Sequence, residues 1–231
     1  MSKVVQDHFP RTISQYVPAM EFAADVVGDV AIVNLGAPAA PDADGIWDGV
    51  SATDSATSYT SANYKNTFDG SSTSLTSTSG MIDATYGRAL TATGSAGSNH
   101  VCTISGRDYL GQPMKENLTL NGTNVIAGKK AFKYVDKLEV AAGAASDTVD
   151  VGWGDVLGLP YAAEATLSAT EDGVATSPTF VKNVTTDPQT ATTGDPRGTY
   201  DPASACDGSI VHEVRYIADT GNLHGVAHFN G

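Results

Sequence analysis

The clearest alternation of apolar and polar positions lies between Asn99 and Tyr161, where strand-length runs follow one another across short turns. Phe132, Tyr134, Leu138 and Val140 share one face, interrupted by Asp136, with Lys133, Lys137 and Glu139 opposite. That period of two predicts a half-buried strand. Thr148 to Trp153 repeats it, with Val149, Val151 and Trp153 on one side and Asp150 on the other. Outside this region, Val26 to Leu35 predicts a strand that is apolar on both faces and therefore central or sandwiched. Met81 to Thr93, Val101 to Ser105, the run Ala165, Leu167, Ala169, and Thr179 to Val184 add further strands. In Ser209 to Ile217, Ile210, His212, Val214 and Tyr216 share a face. Roughly eight to ten short strands, no helical period and no tandem repeat predict an all-β fold. The expected architecture is an antiparallel β-sandwich of Greek-key or jelly-roll-like type.

Three segments break the alternation. Residues 1–22 contain Pro10 and Pro18, and their apolar side chains follow no single period, so they predict an extended N-terminal arm ahead of a β-sandwich domain over 23–231. Residues 36–80 open on GAPAAPDADG and continue as a Ser-, Thr- and Asn-rich run carrying Tyr59, Tyr64 and Phe68, which predicts a surface excursion. Thr185 to Pro202 holds three prolines and two glycines and predicts an irregular connection that covers the fold rather than pairing into it.

Composition sharpens this picture. Charged residues make up 17% and aromatic residues 7% of the 231, with 24 glycines, which suits strands and turns better than amphipathic helices. The net charge of −13 with no basic run disfavours direct nucleic-acid binding. No stretch approaches the ~20 apolar residues of a membrane span, and the first residues lack the apolar run of a signal peptide. Synthesis in a reducing cytoplasm is expected, with Cys102 and Cys206 as separate thiols.

Candidate chemistry is sparse. Gly152, Gly154 and Gly158 follow a strand but miss the dinucleotide spacing by one, and Pro160 stands where a phosphate-binding helix should begin, so a tight turn is expected. There is no G-x-S-x-G nucleophile elbow. His224 and His228, four apart, would share a face in a strand and could touch a surface metal, although an ordinary exposed pair is the simpler reading. Asp42 and Asp44 open a calcium-loop pattern that lacks its later ligands, which leaves a turn. No cofactor, catalytic set or metal site is expected.

The succession GRDYLGQPMKENLTLNGT, GKKAFKYV and VDVGWGDVLGLPY, together with GDPRGTYDPASACDGS and IVHEVRYIAD, resembles virion structural proteins of tailed bacteriophages, most of all head decoration (cement) proteins. The resemblance implies a non-enzymatic protein on the outer capsid surface, bound to the major capsid protein and stabilising the head. It also implies a homo-oligomer, with a trimer on local threefold axes as one arrangement. The arm is the expected bridging element, with Phe9, Tyr16 and Phe22 as its anchors, because aromatic side chains dominate interface energetics. Two alternatives stand beside this: a tail or head-fibre protein, and a carbohydrate-binding module that stacks sugars on the tyrosines of residues 56–69.

Overall fold

A computed structural model describes residues 11–12, 24–27, 29–60, 64, 82, 84–95, 97–143, 147–187 and 190–227. Phe9, Tyr16 and Phe22 lie outside the described residues, as do residues 61–63 and 65–80 of the expected excursion. The chain is all-β, and every strand pairing is antiparallel.

In chain order the strands are β1 (Arg11–Thr12), β2 (Ala24–Val27), β3 (Val30–Gly36), β4 (Asp42–Ala52), β5 (Thr57–Thr60), β6 (Arg88–Gly94), β7 (Val101–Arg107) and β8 (Pro113–Thr119). They continue as β9 (Ile126–Phe132), β10 (Tyr134–Val140), β11 (Asp147–Gly158), β12 (Ala163–Glu171), β13 (Val174–Thr176), β14 (Thr179–Val181), β15 (Thr199–Asp201) and β16 (His212–Ala218). The described residues form three sheets. One runs β1-β2-β3-β16-β12-β13, a second β5-β10-β7-β8, and a third β14-β15-β11-β6-β9 with β4 also on β11.

The organising strand is β11. Its first half pairs with β4 and its last residues with β15, while β6 lies along its other edge. Val149, Val151 and Trp153 enter a core closed by Cys102, Ile104, Met114, Leu118, Leu138 and Val140 of the second sheet. Leu157 enters a second core, which Val33, Val214 and Tyr216 of the first sheet complete together with Tyr200. One strand therefore belongs to both cores. Each fully buried Leu or Val contributes roughly 1.5–3 kcal/mol relative to exposure.

The expected turn at Gly152 and Gly154 does not form; β11 runs straight through both. The glycines there answer a crowding problem. A Cβ on Gly152 would lie 1.8 Å from the Asp42 carbonyl oxygen, and one on Gly45 would lie 2.3 Å from the Trp153 ring. Small residues thus let β4 close onto β11 with Trp153 folded between them, and its indole N–H reaches the Ala40 carbonyl at 3.2 Å. In the segment expected as an exposed β excursion or long loop, residues 42–52 and 57–60 are strands, paired with β11 and β10, and Ile46, Trp47 and Ala52 are buried.

Other expectations shift locally. The face predicted through Tyr134 breaks at Lys133 and at a bulge between Val135 and Lys137, so Val135 is buried where Tyr134 was expected. The strand from Val26 to Leu35 is two strands, and β3 buries only Ala31, Val33 and Leu35, leaving Ile32 half-exposed. Leu167 points outward at 53% exposure, because it is the residue skipped at the register shift between Thr166 and Ser168 of β12. The connection over 185–202 ends in a true strand, β15. In β16 the expected face holds, with His212, Val214 and Tyr216 buried.

Gly152→Ala is expected to cost roughly 2–3 kcal/mol by forcing β4 away from β11. Gly154→Ala, whose nearest obstacle is the Thr91 methyl at 3.3 Å, should cost less than half of that. Urea unfolding of the two variants checks the ranking, and equal losses would remove the crowding account.

Candidate functional site

The most unusual chemistry is a set of charged side chains sealed between the sheets. Asp108 follows β7 in the turn to β8, and Arg197 precedes β15. Their side chains are 0% and 1% exposed, and Arg197 Nη1 donates to Asp108 Oδ2 at 2.6 Å. The other oxygen, Asp108 Oδ1, accepts the backbone N–H groups of Leu110 and Gln112 at 2.9 and 2.8 Å. Arg197 Nε donates to the Leu159 carbonyl at 3.1 Å, and its guanidinium lies 4.8 Å over the Tyr109 ring. Such a pair survives burial because hydrogen bonds and a ring face replace much of the lost water.

Neighbouring charges extend the clamp. Asp195 accepts the N–H of Arg197 at 2.8 Å and, across the connection, that of Ala131 in β9 at 3.0 Å. Lys130 is fully buried, and its ammonium donates to the carbonyls of Lys115 and Thr190 at 3.0 and 2.9 Å. Glu116 accepts the N–H of Lys129 at 2.5 Å. Burial pushes the Glu116 carboxyl up to about 7, against the lowering effect of hydrogen bonds from Lys129 and Lys130. On the far side of β11, Arg88 donates to the carbonyls of Gly154 and Ala39, each at 2.7 Å, and pairs with Asp155 at 3.5 Å. All these groups hold chain segments to one another. The arrangement is a fastening, with carboxylates and cations directed at backbone.

Sequence reasoning singled out none of these residues. Asp108 and Arg197 stand 89 positions apart, and each sits in a turn-like stretch, GRDYLGQ and GDPRG, whose turn chemistry alone accounts for it. The available signal was a charge inside each of two conspicuous turns.

The residues that were singled out do not converge. Asp42 and Asp44 lie in β4, where the Asp44 N–H donates to Asp42 Oδ1 at 3.3 Å. His224 is exposed beside the Tyr161 ring, with centroids 6.0 Å apart, and His228 lies outside the described residues. Among the described residues no group of three His, Cys, Asp or Glu side chains is placed to hold a metal ion. Cys102 and Cys206 are free and buried, and burial pushes both thiols up to about 12. The tyrosine platform points inward: Tyr59 donates its hydroxyl to the Ser51 carbonyl, Tyr64 to that of Val135, and Tyr64 packs 5.3 Å from buried Trp47. Comparison with protein-family models, curated proteins and solved structures gives no match.

Arg197→Ala, which strands the Asp108 carboxylate, is expected to cost about 3–5 kcal/mol. A double-mutant cycle with Asp108→Ala should return a coupling of ~1–3 kcal/mol, and a coupling near zero would show that the pair does not act together. Glu116 adds a pH signature. The folded chain keeps a proton there that the unfolded chain releases near 4.5, so this contribution to stability falls as pH rises from 4.5 to about 7 and is constant above that. The wild type minus Glu116→Gln difference in unfolding free energy should follow that course, changing by on the order of 3 kcal/mol.

Proposed function

We propose that this chain is a non-enzymatic head decoration (cement) protein of a tailed bacteriophage, which binds the outer surface of the major capsid protein lattice. One observation carries the reading. The two stretches of phage-like sequence, 106–161 and 194–219, meet at the buried Asp108–Arg197 pair, and the residues that make the contact lie inside the motifs GRDYLG and GDPRG. The resemblance therefore falls on one physically coupled unit rather than on scattered turns. Asp155 of the first stretch also accepts the Cys206 N–H of the second at 2.9 Å.

The proposed mechanism needs little from each contact. Decoration adds buried area between neighbouring capsid subunits, and many identical contacts on a closed shell act together, so each interface can be modest. A net charge of −13 suits a face turned away from packaged DNA. Strands held in two cores by one continuous β11 make a stiff body for bridging, with residues 1–22 as the bridging element and Phe9, Tyr16 and Phe22 as its anchors.

Co-sedimentation with expanded heads of the encoding phage should saturate at a fixed, high copy number. Deleting residues 2–22 should abolish binding while leaving the thermal transition of the β domain in place. Failure of the full chain to bind well-folded heads overturns the reading in favour of a tail or head-fibre role. A glycan array without hits would complete the case against a carbohydrate-binding module, whose tyrosines already pack inward.

A further inference from the structure

The segment 202–211, between β15 and β16, is held down by carboxylates that accept its backbone N–H groups. Glu171 takes Ala203 and Ser204 at 2.9 and 3.0 Å, Asp155 takes Cys206 at 2.9 Å, and Asp172 takes Val211 at 2.9 Å. Asp207 takes Ser209 and Ile210 at 2.8 and 2.9 Å. Two backbone–backbone bonds add to these, the Gly208 N–H to the Pro38 carbonyl at 2.8 Å and the Asp172 N–H to the Val211 carbonyl at 2.9 Å. Cys206 within the segment is 2% exposed, and His212, the residue after it, is 0% exposed.

His212 is the anomaly. Neither ring nitrogen has a hydrogen-bond partner, and Glu171 Oε1 stands off at 3.7 Å from Nδ1. The groups around it are Glu171 at the end of β12, Asp172 in the following turn, Asp155 of β11 and Asp207 of the segment itself, with the Tyr200 ring of β15 at 6.4 Å. A buried imidazole without partners is tolerable only while neutral.

We propose that residues 202–211 form an acid-released clasp over the second core, opened by protonation of His212 and closed when it is neutral. Burial, the largest influence, holds His212 below its ordinary 6.5, although Glu171, Asp155, Asp172 and Asp207 push the other way. Once the clasp opens, water reaches the ring and its ordinary affinity for protons returns. Opening therefore takes up a proton, and the open fraction rises as pH falls below about 6.5, by at most about tenfold per pH unit. Glu171 and Asp207 release later. Burial raises Glu171, but hydrogen bonds from Ser204 and Ala203 and the charge of His212 outweigh it; hydrogen bonds from Ile210 and Ser209 hold Asp207 low. Both thus keep their charge through mild acid, and His212 acts first.

The two cysteines provide a built-in readout, since Cys206 lies in the clasp and Cys102 in β7. The full chain is treated at pH 7.5, 6.5, 5.5 and 5.0 with a pyridyl disulfide, which reacts with thiols in acid, and each site is quantified by peptide mass spectrometry. Relative to the unfolded chain at each pH, Cys206 modification should accelerate at least fivefold from pH 7.5 to 5.0 while Cys102 stays protected. His212→Gln should flatten that dependence. Glu171→Gln keeps an acceptor for Ala203 and Ser204 but removes the charge favouring imidazolium in the closed state, so it should speed Cys206 modification below pH 6.5; it also tests the clasp if His212→Gln does not fold. A Cys206 rate independent of pH, parallel acceleration of Cys102, or an unchanged profile in either folded variant overturns the proposal.

Discussion

The buried pair of Asp108 and Arg197 is the constraint on which the rest of the molecule depends. It joins the β7–β8 turn of one sheet to the chain leading into β15 of another, and Arg197 also takes the Leu159 carbonyl just beyond β11. Apolar contact of similar area would hold these parts together as strongly, because desolvating two ions cancels much of their attraction. What the ions add is intolerance of error. A shift of one residue along β15 would leave a carboxylate and a guanidinium buried and unpaired, a state far more costly than a mispacked valine.

That intolerance matters because β11 is shared. Val149, Val151 and Trp153 serve one core and Leu157 the other, so any slip of β11 against its neighbours would disturb both. Its pairing is already irregular, with register shifts against β4 on either side of Val151 and against β6 beyond Trp153. The extra residues at the shifts around Val151 belong to β4, and β11 itself carries extra residues only between Trp153 and Leu157, so the period of two does not align β4 or the second half of β11. Register must be fixed from outside the ladder. Arg197 beyond its end, and Arg88 of β6, which reaches Gly154 and Asp155 in its second half, do so through directional contacts.

The same facts decide what could be read from sequence. β16 and the first half of β11 were legible because their inward positions, Val214 and Tyr216 or Val149 and Val151, keep strict alternation. β4 was not legible. Its interior packs glycine against tryptophan, so Gly45 occupies a buried position without an apolar side chain, and Asp42 with Asp44 imitates a turn. Leu167 misled in the opposite sense, being apolar in sequence and outward in space through the shifted register of β12. The buried charges were invisible for a different reason: local composition carries no information about a partner 89 residues away.

The acidic balance also takes on a different meaning in the folded chain. A net charge of −13 suggests a strongly negative exterior, yet many of the carboxylates are turned onto backbone. Asp108, Glu116 and Asp195 accept N–H groups inside the clamp, and Glu171, Asp155 and Asp172 do so along the 202–211 segment. Strands satisfy their own N–H groups through the ladder, but the connections between these short strands do not, and buried donors without acceptors are costly. Short acidic side chains placed in turns meet that need with charge-assisted bonds. Part of the acidic excess is thus a consequence of the all-β architecture.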